Sequence, residues 1–292
     1  MILMPHSSRV SLSLCILETP AEMEAVEDLE RLVWPGSETD VIPSHMLLAA
    51  VHGGGLVIGA YDDTVEPPRP VGFVFGFLGL YYTPDGPRLK HCSHQLGVLP
   101  AYRNTGIGFR LKRAQWQMVR HQGIDRITWT FDPLLSRNAH LNITKLGTVC
   151  NTYLRNFYGD MRDEMKQGLP SDRLEVDWWV NTHRVAQRLS KRPRRRLQLL
   201  DFQKAEILII PTLSPLPNIT PTANPLVLLE IPTDFLSLKA GDSILALQWR
   251  MHTRALFEEL FALGYLITDF IYEASDDPPR SFYVLSHGET TL

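Results

Sequence analysis

His94-Gln-Leu-Gly-Val-Leu-Pro-Ala-Tyr-Arg-Asn-Thr-Gly-Ile-Gly-Phe-Arg-Leu-Lys112 is the stretch whose reading decides the fold. A strand delivers the chain into Arg103-Asn-Thr-Gly-Ile-Gly108, and a helix starts at once. The amides at a helix N-terminus are unpaired donors at the positive end of the dipole, and Gly106 and Gly108 let an anion approach the backbone. A pyrophosphate suits such a loop. The loop lacks the Gly-Lys-Ser/Thr of a nucleotide hydrolase and the three-glycine dinucleotide fingerprint, and it follows antiparallel strands instead of opening a βαβ unit. NTPase and dehydrogenase chemistry are both poor readings of it.

Upstream, Val10, Leu12, Leu14 and Ile16 alternate as a half-buried strand. A helix follows from Pro20, with Met23, Val26, Leu29 and Leu32 at helical spacing, and Pro35-Gly36 end it. A second short helix is expected over residues 43–51. Strands are expected at 56–61, 70–80 and 88–98, and their short links imply antiparallel neighbours. Downstream, Ile107, Leu111, Ala114 and Met118 mark the inner face of a helix over 106–121. A strand at 127–131, a helix at 136–146 closed by Gly147, and strands near 149–157 and 173–180 complete the order β-α-α-β-β-β-α-β-α-β-β. That order defines an α/β (α+β) fold, a mixed and mostly antiparallel sheet flanked by helices.

Charge divides the rest of the chain. Residues 183–204 hold 8 basic groups and 1 acidic group, between 1–182 with 17 and 20 and 205–292 with 4 and 11. The boundaries read from this are 1–182, a basic linker at 183–205, and a smaller α/β module at 206–292. The module has strands at 207–210, 227–231, 265–272 and 281–285, a helix over 242–263, and a proline-rich connection at 211–225. The basic block lacks interleaved aromatics, so a sequence-specific nucleic-acid partner is not expected. On the module's helix, Arg250 and Arg254 at i, i+4 read either as an anion grip or as a solvated face.

The composition, 44% hydrophobic and 21% charged with a net charge of −3, is that of a globular protein. Cys15, Cys92 and Cys150 form no CxxC pair, which favours a reducing compartment, with the cytoplasm as the expected location. Residues 1–9 are too short in apolar character for a signal peptide. The longest uncharged apolar run, 71–82, falls short of the roughly 18 residues of a membrane span, so no membrane partner is expected.

Val98-Leu-Pro-Ala-Tyr-Arg-Asn-Thr-Gly-Ile-Gly108 resembles the acyl-CoA-binding motif of the GNAT N-acetyltransferase superfamily. Ser136-Arg-Asn-Ala-His-Leu-Asn-Ile-Thr-Lys-Leu-Gly147 is similar to that family's Asn-containing helix ending in Lys-Leu-Gly-Phe. The resemblance spans about residues 8–182 and implies the GNAT fold, acetyl-CoA or another acyl-CoA as cosubstrate, no metal, and transfer of the acyl group to a small-molecule or peptide amine. Carried over, it implies that Gln95, Leu96, Gly97 and Val98 face the pantetheine arm and that Arg103, Asn104, Thr105, Gly106, Ile107 and Gly108 face the pyrophosphate. Asn138 falls on the second motif and joins the cofactor set. Two departures stand out: Ile143 occupies the position where many members carry a tyrosine that protonates the departing thiolate, and Thr148 replaces the phenylalanine.

Acyl transfer to an amine needs a base and donors for the carbonyl oxygen. A backbone amide near Val98 fits the second role. For the base, strand alternation puts Cys92 and His94 on one face and His91 on the other unless a bulge intervenes. His94 is the leading candidate, since the resemblance extends to arylalkylamine N-acetyltransferases, which carry histidines on this strand; Cys92 is the second candidate. A metal held by His91, Cys92 and His94 is disfavoured by the alternation. Tyr153, Tyr158 and Cys150 are the nearest substitutes for the missing acid, and Trp34, Tyr81 and Tyr82 are candidates for lining an acceptor pocket. The alternative to an N-acetyltransferase is a non-catalytic acyl-CoA-binding module whose extension engages a partner. A homo-oligomer is compatible with either.

Overall fold

The computed structural model describes residues 11–36, 38, 41–159, 169–190, 195, 197–202, 207–210 and 225–288. They form a mixed α/β structure with mostly antiparallel strands, in two compact units, residues 1–124 and 125–292.

In the first unit, strands β1 (Leu12–Ile16), β2 (Leu56–Asp62), β3 (Arg69–Thr83) and β4 (Gly86–Val98) lie side by side in sequence order, each antiparallel to the next. Helices α1 (Pro20–Val33) and α2 (Ser44–His52) separate β1 from β2, and α3 (Ile107–His121) follows β4. The α1 start is written in Thr19-Pro-Ala-Glu22. The Thr19 hydroxyl accepts from the Glu22 amide, the Glu22 carboxylate accepts from the Thr19 amide, and Pro20 occupies a position that needs no N–H. Met23, Val26, Leu29 and Val33 from α1 join Val57, Phe73, Val74, Ile107 and Leu111 in one core. The inner face of α3 differs from the expected stripe. Ile107, Leu111, Lys112, Gln115 and Val119 are buried, whereas Ala114 and Met118 pack only at the margin.

In the second unit the strand order is β5 (Arg126–Phe131), β7 (Arg173–Trp179), β6 (Val149–Leu154), β10 (Leu266–Glu273), β11 (Arg280–Ser286), β9 (Leu226–Ile231) and β8 (Ile207–Ile210). Among the described residues of this unit, β8 and β9 run parallel and the other neighbours antiparallel. The helices are α4 (Ser136–Ala139), which continues as a π-helical turn over His140–Lys145, then α5 (His183–Leu189), α6 (Phe235–Gly241) and α7 (Ser243–Ala262). Phe131, Leu134, Ile143, Cys150, Leu174 and Val176 share one core with Trp249, Phe257, Tyr265, Ile267, Phe270 and Tyr283.

Compactness thus divides the chain after Ile124, whereas the charge pattern divides it after residue 182. The physical reason lies in the basic segment, whose first seven residues are a helix. Thr182 caps α5; Arg184 donates to the carbonyls of Gly147 and Thr268, and Arg188 to the carbonyl of Thr144 and the carboxylate of Asp269. Arg184 and Arg188 are thus held within the unit. Arg250 and Arg254 on α7 are neither an anion grip nor a solvated face: Arg250, 2% exposed, pairs bidentately with Asp132, and Arg254 with Asp172. The proline-rich connection at 211–224 lies outside the described residues. Among the described residues, no helix is long and apolar enough to cross a membrane.

Candidate acyl-CoA site

The β3–β4 ladder carries one irregularity. Phe75 pairs with Gln95 and Gly76 with Ser93, which leaves His94 as an extra residue in a β-bulge. From Gly76 to Thr83 the register with Ser93 to Gly86 is unbroken. The His94 ring lies 5.9 Å from the Phe77 ring and 6.2 Å, edge-on, from that of Phe75. Cys92 pairs directly opposite Phe77, so Cys92 and His94 share the phenylalanine face, as alternation requires. His91 points the other way, to α3, where its Nε2 is 3.1 Å from the amide nitrogen of Gln115. Three potential ligands therefore do not converge, and among the described residues there is no cluster of three or more His, Cys, Asp or Glu able to hold a metal ion.

Part of the His94 ring is open to solvent, and the desolvated part draws its pKa below the ordinary 6.5. Its imidazole is consequently neutral near pH 7 and able to accept a proton. Cys92 is half-buried, and Gly79 makes room for its sulfur: a Cβ there would stand 2.7 Å from Sγ.

Beyond β4 the chain turns through Asn104 and Gly106, both in the left-handed region with φ of 67° and 87°. Gly106 is the N-cap of α3, and no side chain caps the helix. A Cβ on Gly106 would meet nothing within 4 Å, so the space beside the N-cap is open. The loop is braced from behind. Arg103 donates to the carbonyls of Val98 and Val33, and the Thr105 hydroxyl to the carbonyl of Tyr102 at 2.6 Å. Arg103 and Thr105 thereby shape the loop, and Gly106, Ile107 and Gly108 supply amides. Gly108 sits 3.6 Å, as a Cβ, from Leu96. Gly97 is required by the close approach of Phe73, whose ring would lie 2.5 Å from a Cβ. Gln95, Leu96 and Val98 are half-buried along the strand. An uncapped helix end with empty space before it fits the diphosphate of a coenzyme A species.

In the second unit, Asn138 is half-buried on α4. Ile143 is fully buried in that unit's core, so no acid stands at its position. Two of the nearest substitutes are bound up in that unit. The Tyr153 hydroxyl donates a hydrogen bond to the Asp172 carboxylate and burial raises its pKa; burial likewise raises that of Cys150. The Tyr158 hydroxyl lies 3.2 Å from that of Thr130. In the first unit, Trp34 meets Phe73 edge to face, Tyr81 is half-buried and Tyr82 is exposed.

The sequence reading missed Ser93, Lys112 and Gln115, which form a buried polar group between β4 and α3. The available signal was their phase: Gly108, Lys112, Gln115 and Val119 recur at helical spacing beside the Ile107–Leu111 stripe. Charge on Lys112 argued for the solvated face.

Residues 23–147 match the sequence profile of the family described as Acetyltransferase (GNAT) family, and this stretch is a GNAT acetyltransferase domain. No curated protein matches the sequence. Among solved structures, Arabidopsis thaliana NAA60 in complex with acetyl-CoA is similar at 17% identity and a TM-score of 0.47, over 58% of this chain and 99% of that one. Arabidopsis thaliana Naa50 with the bisubstrate analogue CoA-Ac-MVNAL is similar at 20% and 0.43, over 57% and 98%. The ribosomal-protein-S18-alanine N-acetyltransferase of Escherichia coli is similar at 13% and 0.44, over 58% and 94%. No residue role passes from these structures to this chain.

Proposed function

We propose that this chain is an acyl-CoA-dependent N-acetyltransferase that acts on a small-molecule or peptide amine. The observation that carries the reading is a single continuous segment: β4, interrupted by a bulge at His94, runs into the uncapped, unobstructed N-terminus of α3 at Gly106. Acetyl-CoA supplies an activated thioester. The amides of Gly106, Ile107 and Gly108 hold its diphosphate, and Gln95 to Val98 lie along its pantetheine arm. At the bulge, where ladder pairing lapses, a backbone amide is available to the carbonyl oxygen as charge develops there. His94, directly or through one water, takes the proton that the ammonium acceptor must lose. The amine nitrogen bonds to the carbonyl carbon, the carbon–sulfur bond breaks, and the thiolate takes its proton from water, since Ile143 offers none.

Native mass spectrometry of the purified chain, followed by thiol detection across an amine panel, tests the reading. Retained or added coenzyme A together with amine-dependent thiol release is the expected result. Binding with no release for any amine would favour the non-catalytic acyl-CoA-binding module, and absence of binding would remove both.

A further inference from the structure

A lysine, a serine, a glutamine and a histidine meet beneath the bulge with almost no access to water. Lys112 is 2% exposed, and Ser93, Gln115 and His91 are buried with it. The Lys112 Nζ donates to the Ser93 hydroxyl at 2.7 Å and to the Gln115 side-chain carbonyl at 3.3 Å. Gln115, its oxygen turned to the lysine, presents its NH2 to His91 Nε2 at 3.1 Å. An amide nitrogen can only donate, so Nε2 accepts and the ring proton resides on Nδ1. Burial, reinforced by Lys112, holds His91 down at about 3, and burial alone drives Lys112 far below the ordinary lysine range. Burial pushes both toward their uncharged forms, and what the group shows is a set of directional hydrogen bonds. Gly76 is part of it, because a Cβ there would stand 2.2 Å from His91 Nε2.

Its position gives it a task. Ser93 is the last residue paired in register before the bulge, and His91 lies two residues earlier on the same face. A bulge is the weakest point of a long ladder, and a one-residue slip there would exchange the two faces of the strand. Lys112 and Gln115 tie this point to α3, the helix that begins at Gly106, six residues or about 9 Å before Lys112. The phosphate-binding end and the reactive end of the site are joined through one rigid element. A leucine or methionine would fill the same volume without the cost of desolvating an amine.

We propose that Lys112 is a positioning residue, which through its hydrogen bond to Ser93 holds the β4 bulge in the register that presents His94. Its effect on catalysis rests on the acetyltransferase reading; its effect on the bulge does not. The test compares Lys112→Met, Ser93→Ala and Ser93→Thr with the intact chain by NMR titration of the His94 ring. Cys92 shares that face, and Lys112 and His91 lie on the opposite one. In the intact chain His94 titrates below 6.5, held beside Phe75 and Phe77. Lys112→Met and Ser93→Ala release the bulge and let the value move toward 6.5, whereas Ser93→Thr, which keeps the hydroxyl, preserves the low value. With an amine substrate, the first two lower kcat by on the order of 10- to 100-fold, leave the KM for acetyl-CoA within about twofold, and shift the acidic limb of the rate profile with His94. Ser93→Ala removes a single oxygen and serves if Lys112→Met does not fold. An unchanged His94 titration in Ser93→Ala and in folded Lys112→Met would overturn the proposal. If the intact chain acetylates no amine, the functional reading falls while the titration still decides the role of Lys112.

Discussion

At the scale of single residues, His94 and Gly106 separate chemistry from binding. His94→Gln keeps hydrogen bonding and approximate size but removes titration. Acetyl-CoA affinity is expected to persist while turnover falls by roughly 10² to 10⁴-fold, and the acidic limb, set below 6.5 by the partial burial of the ring, disappears. An unaltered pH–rate profile would leave His94 structural and move the search to Cys92. Gly106→Asp tests the other end. No neighbour resists the new Cβ, so the cost to the fold is confined to a left-handed φ of 87° and is about 1–2 kcal/mol. The carboxylate would occupy the helix N-terminus itself and repel the diphosphate, and calorimetry should show coenzyme A affinity lost in a folded protein. Full affinity in this variant would place the cofactor elsewhere.

At the scale of elements, the link between α1 and α2 is held by two glutamates. Glu27 accepts from the Ser44 amide at 2.7 Å and pairs with Arg31; Glu30 accepts from the Ile42 amide at 2.6 Å. Glu30 is fully buried, and burial raises its pKa from 4.5 to about 7, the Ile42 amide opposing the shift and Glu27 adding to it. A raised carboxylate binds its proton more readily in the folded chain, so its contribution is present below pH 4.5 and is lost as pH rises through 7. Glu30→Gln should therefore be more stable than the parent at pH 8, by on the order of 1–3 kcal/mol, with the gap closing by pH 5 in urea unfolding. A gap that is constant with pH would refute this. These elements were legible in the sequence because their signals are local: Thr19-Pro20 with Glu22 states a helix start, and the uncharged apolar run over 71–82 states a buried strand. Other elements were hidden by their charges. Val185 and Leu189, buried at i, i+4, mark α5, but Arg184 and Arg188 made the segment read as solvated, and only its distant carbonyl and carboxylate partners show otherwise. Asp234, which caps α6 through the Ser237 amide, was the overlooked start of a helix. Lys112 is the same case inside the site. Hydropathy placed it in water, and Ser93, 19 residues away, explains its burial.

At the scale of the whole chain, the GNAT profile ends at residue 147 and the charge boundary falls at 182, yet the unit that begins at Asp125 needs its C-terminal half. Asp172 is fully buried and receives Arg254 through both oxygens, together with the Tyr153 hydroxyl and the Asn156 amide. Asp132 receives Arg250 in the same bidentate way. Phe131, Ile143, Cys150 and Leu174 share their core with Trp249, Phe257, Tyr265 and Ile267, and β6 finds a neighbour in β10. In the intact chain, Arg254→Met strands the buried Asp172 carboxylate and is expected to cost about 3–5 kcal/mol in urea unfolding. Cutting the chain after residue 182 removes both arginines, most of this core and the strand beside β6 in one step. The fragment 1–182 should then bind a hydrophobic dye, associate through the bared edge and lose a cooperative transition from residues 125–182, whereas the full chain shows none of these. A monomeric fragment that leaves the dye unbound and unfolds in one sharp transition would show instead that residues 183–292 are a separable addition, in line with the charge boundary and against the shared core.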